Sequence, residues 1–237
     1  MKLFTACDPR YLNVHAPALI ASAAVACNNL HLHVINAGNQ ETDFLHFLAD
    51  KWADMTEAEL SFSTGPQYVD ANDSSDAQRT VYACERFVTI VDFMEHNPEE
   101  DYLVIDTDCL IMNHIEISED DQIGLFLREP LPGTQGWENQ GSRVAAGVVY
   151  YSHDAIDFAR KVRQRIKQGP LAWFLDQVAL NETYHSHIGD YRYHYFDGKF
   201  MDWEFIEGTT IWTGKGPRKY DNPTYVTKKN EFDRMIR

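Results

Sequence analysis

Positive charge is scarce in this sequence. Its 237 residues carry 21 Lys and Arg against 36 Asp and Glu, a formal net charge of −15. That excludes an extended polyanion such as nucleic acid as partner, because such a backbone is bound through a basic surface. A phosphate-bearing ligand must therefore be met at one local site. Cysteine is sparse as well, and Cys7, Cys27, Cys84 and Cys109 stand apart with no Cys-x-x-Cys pair. No zinc ribbon can be built on that spacing, no disulfide framework is expected, and a reduced, cytoplasmic protein fits. No apolar run reaches the ~18 residues of a membrane-spanning helix. Met1-Lys2-Leu3 leads into a strand-like run rather than a signal peptide. Repeats and low-complexity blocks are lacking. The ten His form no His-Glu-x-x-His frame, so His31, His33, His185 and His187 read as structural or surface residues.

What is present is an ordinary apolar fraction, 44%, on a chain long enough to bury a substantial core. Lys2 to Cys7 reads as a buried strand, and Asp8-Pro9 starts a helix with Asp8 as its cap. Tyr11 to Asn28 is Ala-rich with helical spacing. Leu30 to Ile35 and Leu60 to Ser63 read as strands, with a helix over Phe44 to Ala53 between them. Gln78 to His96 is helical, and Tyr102 to Ile105 is a compact apolar strand. This alternation predicts a parallel α/β sheet. Downstream, Ile123 to Leu127 and Val144 to Tyr151 are strand-like, separated by the Gly-rich segment Pro132 to Gly141, which carries Trp137. Ser152 is expected to cap a helix closed by Gly169-Pro170, a shorter helix follows over Trp173 to Asn181, and the tail from Tyr191 holds aromatic strand candidates and a basic end. No linker separates the two halves, and a single domain over 1–237 is expected.

The sharpest local signal is Leu103-Val-Ile-Asp-Thr-Asp108. Asp106 and Asp108, two apart at the end of a buried strand, converge at the carboxyl edge of a sheet, where α/β proteins bind ligands. Two carboxylates together repel unless a cation joins them, so a hard divalent ion such as Mn²⁺ or Mg²⁺ is the natural third party, with open positions for phosphate oxygens. Two enzyme classes use such a motif. In the haloacid-dehalogenase type phosphatase the first Asp is a nucleophile and the second a general acid. In the GT-A sugar-nucleotide transferase both carboxylates serve the metal. The phosphatase pattern has Thr or Val where this chain has Leu110 and places the strand near the chain start, whereas three strands precede it here. Gly189-Asp190 could stand for its later acidic motif, but its Lys has no counterpart.

Further segments, in order, resemble the GT-A glycosyltransferases of family 8, the type of glycogenin and bacterial galactosyltransferases. Phe4-Thr-Ala-Cys-Asp8 with Tyr11 resembles the first strand and loop that hold the nucleotide base. The resemblance implies backbone contacts from Thr5 and Ala6, Asp8 at a uracil-like edge, and Tyr11 stacked near it. Tyr82-Ala-Cys-Glu-Arg-Phe87 is similar to the helix before the Asp-x-Asp strand, which assigns Arg86 to the donor sugar and phosphate. Asp106, Thr107 and Asp108 hold donor and metal in that pattern. Val144-Ala-Ala-Gly-Val is similar to the strand in which Gly147 lets backbone approach the ligand, although the family's Asn is Ala145 here. Phe174-Leu-Asp-Gln-Val-Ala-Leu-Asn181 resembles the helix whose Asp176 and Gln177 face the transferring sugar carbon. In Ile211 to Lys219 the family's metal-binding His is missing and Thr213 stands nearest to it. Gly214, Lys215 and Arg218, with Lys219 beside them, remain to grip a diphosphate.

The resemblance implies an α/β GT-A fold: a mostly parallel central sheet flanked by helices, with a mixed C-terminal half. Residues 1–112 would form its nucleotide-binding half and 113–237 its donor-sugar and acceptor half. It implies a metal-dependent hexosyltransferase that uses a nucleoside diphosphate sugar, UDP-sugar by family likeness, with retention. Asp176 and Gln177 would be catalytic. The acceptor is a hydroxyl on a carbohydrate, lipid-linked group or protein, with Pro132 to Gly141 as a lid or acceptor rim. Two alternatives stay open: the Mg²⁺-dependent phosphatase, and a non-catalytic sugar-nucleotide-binding or interaction domain.

Overall fold

The computed structural model describes residues 1–65, 76–129 and 143–237. The segment Pro132 to Gly141, with Trp137, lies outside the described residues. In chain order the elements are β1 (Lys2–Cys7), α1 (Pro9–Val14), α2 (Ala16–Val25), β2 (Leu30–Val34), α3 (Asn39–Ala53), β3 (Leu60–Thr64), α4 (Asp76–His96), β4 (Tyr102–Ile105) and β5 (Cys109–Ile111). Then come β6 (Ile123–Leu127), β7 (Val144–Tyr151), α5 (Ile156–Gln168), α6 (Leu175–Ser186), β8 (Tyr193–Tyr195), β9 (Met201–Asp202), β10 (Ile211–Thr213), α7 (Arg218–Asp221) and α8 (Pro223–Ile236). The fold is α/β, with mostly parallel strand pairing, antiparallel pairs mixed in, and helices alongside. Among the described residues no helix is long and apolar enough to cross a membrane.

The chain groups into two compact units that interleave along the sequence. The first, called the Asp-x-Asp unit below, takes its described residues from 2–65, 105–116 and 197–237. Its strands β3, β2 and β1 lie side by side and parallel, with Leu3 opposite Leu30 and Leu30 opposite Leu60. On the β2–β3 pair, His31 bonds Ser61 and Ser63, and His33 bonds Ser63, at 2.8–2.9 Å, a polar ladder that matches the structural reading of these His. A small second sheet runs β5-β10-β9, with β10 antiparallel to β5 and parallel to β9. Helix α2 is buried all round from Ala16 to Ala24 and packs on α3, α8 and β5. Its Ser22 hydroxyl accepts the Ile111 N–H at 3.0 Å, which fixes β5.

One expectation fails in this unit. The helix expected over Tyr11 to Asn28 is broken at His15, because Pro17 brings no N–H and its ring clashes with the carbonyl four residues back. The basic final segment, to which the sequence pattern assigned no element, forms α8: Asn222 caps it by accepting from the Thr224 and Tyr225 N–H groups, Pro223 takes the first helical position, and Tyr225, Phe232 and Ile236 are buried.

The second unit, called the arginine unit, takes its described residues from 76–104, 117–129 and 143–196, together with Met1. Its strands run in the order β4-β7-β6-β8, with β6 antiparallel to β7 and parallel to β8. Helices α4, α5 and α6 pack on one another and α6 covers β7. The β6–β7 register shifts: Leu125 faces Val149 and Phe126 faces Ala145, so Ala146, Gly147 and Val148 bulge between them. Ser152 makes no side-chain capping bond; a single 3₁₀ turn, His153–Ala155, leads into α5 instead. Helix α6 starts two residues later than expected and runs to Ser186, and Phe174 before it sits in the left-handed region at φ 73°.

Candidate functional site

In the Asp-x-Asp unit the chain turns sharply after β4. The Cys109 N–H donates to the Asp106 carbonyl at 3.0 Å, so Asp106-Thr107-Asp108 is a tight turn between β4 and β5. Thr107 pins it to β1: its hydroxyl lies 2.9 Å from that of Thr5 and donates to the Ala6 carbonyl at 3.3 Å. Thr5 and Ala6, expected to meet a nucleotide base through backbone, therefore also hold the turn. Asp8 accepts the Tyr11 N–H at 2.7 Å and caps α1, as expected, which commits one carboxylate oxygen to the helix. The Cys7 thiol is buried, and burial with the nearby Asp8 charge pushes its pKa far up, so it is no nucleophile.

Asp108 is buried and fixed through its backbone. Its carbonyl accepts the Gly214 N–H at 3.1 Å and the Tyr225 hydroxyl at 2.6 Å. A Cβ on Gly214 would lie 2.8 Å from that carbonyl, so only glycine allows this approach. The Asp108 carboxylate pairs with Lys219: Nζ donates to Oδ2 at 2.6 Å and to the Tyr11 hydroxyl at 2.7 Å. The side chains of Lys219 and Asp108 are only 10% and 9% exposed. Burial alone would discourage the ammonium, but the Asp108 charge and the two hydrogen bonds outweigh it, and the Lys219 pKa lies above the usual lysine range. Burial and the Asp108 charge also raise the Tyr11 pKa, so its hydroxyl stays neutral.

Of the cations expected near a diphosphate, it is thus Lys219 that reaches the turn. Lys215 lies over the Trp203 ring, 4.3 Å from its centroid, and Arg218 forms an exposed pair with Glu204 at 3.1 Å. Thr213, nearest to the missing His, is buried and donates to the Asp202 carbonyl at 3.3 Å. Among the described residues no three His, Cys, Asp or Glu side chains gather as a ligand set. A divalent ion on Asp108 would have to share the carboxylate with the Lys219 ammonium, which holds Oδ2. With an ammonium on Asp108, Thr213 turned to the Asp202 carbonyl and no third ligand side chain among the described residues, the residues as arranged do not fit the Mn²⁺ or Mg²⁺ expected on Asp106 and Asp108.

The arginine unit holds the other expected residues. Arg86 on α4 donates from Nη2 to Asp176 Oδ2 at 2.9 Å and to the Ala146 carbonyl at 3.1 Å. The bulge beside Gly147 brings that carbonyl into reach. Both side chains are 7% exposed. Asp176 also accepts the N–H of Gln177 at 2.8 Å. One turn apart on α6, Gln177 Oε1 and Asn181 Oδ1 are buried acceptors with no hydrogen-bond partner among the described residues. Buried acceptors are seldom left so, and ligand hydroxyls would satisfy them. Asn181 was quoted in the α6 motif but given no role there. Lys219 and Tyr225 could not have been linked to Asp108 from sequence, since each lies more than a hundred positions away.

Together the strands and helices make an α/β fold of the GT-A-like type. A solved structure with this fold is the glycosyltransferase GlyE of Streptococcus pneumoniae TIGR4, similar at a TM-score of 0.61 with 10% sequence identity over 99% of this chain. The match spans 62% of the GlyE chain. No protein-family model and no curated protein matches the sequence.

Proposed function

We propose that this chain is a glycosyltransferase that moves a hexose from a nucleoside diphosphate sugar, of the UDP-sugar class, to a hydroxyl acceptor. The observation that carries the reading is the Asp106-Thr107-Asp108 turn, whose buried Asp108 holds Lys219 against Tyr11 in a chain with a glycosyltransferase's fold. Gly214 ties the segment to the Asp108 carbonyl, and Lys215 and Arg218 precede Lys219 in the same short stretch, a setting for a diphosphate rather than an apolar ligand.

In the reaction, the bond between the anomeric carbon and the donor's phosphate oxygen breaks, and its electron pair leaves with the nucleoside diphosphate. The acceptor oxygen forms the new bond and its proton passes to solvent. Positive charge set against the departing phosphate lowers the barrier, because it acts where negative charge develops. Asp176 and Gln177 are assigned to the transferring sugar. Arg86 is a positioning residue that holds Asp176, and Gln177 Oε1 and Asn181 Oδ1 accept from sugar hydroxyls.

The phosphatase reading is weaker, because its second Asp must hand a proton to a leaving group, whereas Asp108 is bound to an ammonium. Incubation with UDP-glucose and UDP-galactose, followed by chromatography for UDP, tests the proposal. Release of UDP that is lost in Asp176→Ala supports it. Phosphate release from a generic ester, with no UDP from any donor, would favour the phosphatase. Nucleotide binding without turnover would leave a non-catalytic binding domain.

A further inference from the structure

A site that gathers two carboxylates and a diphosphate needs a cation between them, and here the protein supplies one. Three N–H groups project from the Lys219 ammonium; one goes to Asp108, one to Tyr11, and the third remains for a ligand oxygen. The rings of Tyr11 and Tyr220, with centroids 4.9 and 5.6 Å from Nζ, flank it and favour a cation there. Gly214 and Tyr225 clamp the Asp108 main-chain carbonyl, which fixes the point from which its carboxylate reaches Lys219. A divalent ion on Asp108 would have to share that carboxylate with the ammonium, whose like charge opposes it at this distance, and among the described residues no third His, Cys, Asp or Glu joins the pair to offset that cost. Lys219 sits on α7, four residues long, preceded by Gly216 at φ 63°, so its stem comes from a short segment next to the diphosphate-type loop.

Resting on the proposed donor class, we propose that Lys219 stands in place of the divalent cation at the Asp106–Asp108 turn and binds the donor's diphosphate directly. The chain is then a metal-independent binder of nucleoside diphosphates. Asp108 and Tyr11 position the ammonium rather than ligate a metal.

Calorimetric titration of the whole chain with UDP, GDP and ADP, first in EDTA and then in Mn²⁺, reads this out without any turnover. The expected result is one nucleotide bound with a Kd that changes less than about twofold between EDTA and Mn²⁺, while Lys219→Gln weakens it about tenfold or more, the loss expected for one charged hydrogen bond. Because Lys219→Gln strands the Asp108 carboxylate, Asp108→Asn with Lys219→Met serves as a second variant that removes both charges; this pair should fold, by circular dichroism, and bind no nucleotide. Binding that needs Mn²⁺ in the unmodified chain overturns the inference while leaving the glycosyltransferase reading intact. So does unchanged binding by the folded double variant. Failure of all three nucleotides with and without Mn²⁺ overturns the donor reading itself, and the inference with it.

Discussion

Two buried ion pairs, one in each unit, look alike in distance and exposure but differ in build. Arg86 and Asp176 meet at 2.9 Å, and the same guanidinium nitrogen also bonds the Ala146 carbonyl, so one side chain ties α4, α6 and β7 together. Lys219 and Asp108 meet at 2.6 Å, but the lysine stem comes from a short helix and its other partner is a side-chain hydroxyl. A planar fork with several donors suits a fixed junction, whereas a compact ammonium on a flexible stem suits an exchange of partners. The difference teaches that burial and a short distance do not by themselves separate architecture from binding. What the second partner is, backbone or a group a ligand can replace, separates them.

The largest effect should come from breaking the architectural pair. Arg86→Ala leaves the Asp176 carboxylate buried and uncompensated, and should lower stability by about 3–5 kcal/mol in urea titration. A loss under about 1 kcal/mol would mean that the pair does not tie the unit together. Next in size is Gly214→Ala in the other unit. Its new Cβ would press on the Asp108 carbonyl at 2.8 Å, and a loss of about 1–3 kcal/mol is expected, with weaker nucleotide binding as Lys219 loses its fixed partner.

A pH effect follows, and it belongs to the Asp-x-Asp unit. Burial, with the charges of Lys219 and Lys229, lowers the His15 pKa to about 3, and burial beside His33 and Lys2 lowers that of His31 to about 3. Both must be neutral in the folded chain, while the unfolded chain protonates them near the ordinary value of about 6.5. Their contribution is therefore complete above about pH 6.5 and is lost as pH falls towards about 3. The urea midpoint should be lower at pH 5 than at pH 7.5. Among the described residues neither ring nitrogen of His15 has a hydrogen-bond partner, so His15→Phe should reduce that slope; an unchanged slope would remove His15 from the account. The smallest effect is expected at Phe174, whose φ of 73° is costly for a bulky residue. Phe174→Gly should raise the thermal midpoint, by the equivalent of about 0.5–1 kcal/mol, without touching the Arg86 pair. A drop would show that the ring's contacts outweigh the strain.

Much of the sheet was legible because its strands are short apolar runs: Lys2 to Cys7, Tyr102 to Ile105, Ile123 to Leu127 and Val144 to Tyr151 all stand where the pattern put them. The break between α1 and α2 was hidden by alanines that continue the helical spacing across His15 and Pro17. Helix α8 was hidden by its charges, which mask the spacing of Tyr225, Phe232 and Ile236, although Asn222-Pro223 is a start signal. In the candidate site, the meeting of Arg86 with Asp176 and of Thr5 with Thr107 depends on folding, and only family likeness put these residues on one list. The partner of Asp108 was beyond sequence reasoning. Three cations within Lys215 to Lys219 look equivalent in one dimension, and backbone turns send them to Trp203, Glu204 and Asp108 respectively.

The claim that Lys219 replaces the metal is tested most directly by a crystal structure with UDP and Mn²⁺, with diffraction recorded at a wavelength where manganese scatters anomalously. The account predicts a diphosphate oxygen within hydrogen-bond distance of Lys219 Nζ, the Lys219–Asp108 pair intact, and no anomalous peak on either carboxylate. A manganese peak bonded to Asp106 and Asp108, with Lys219 turned away, would contradict it.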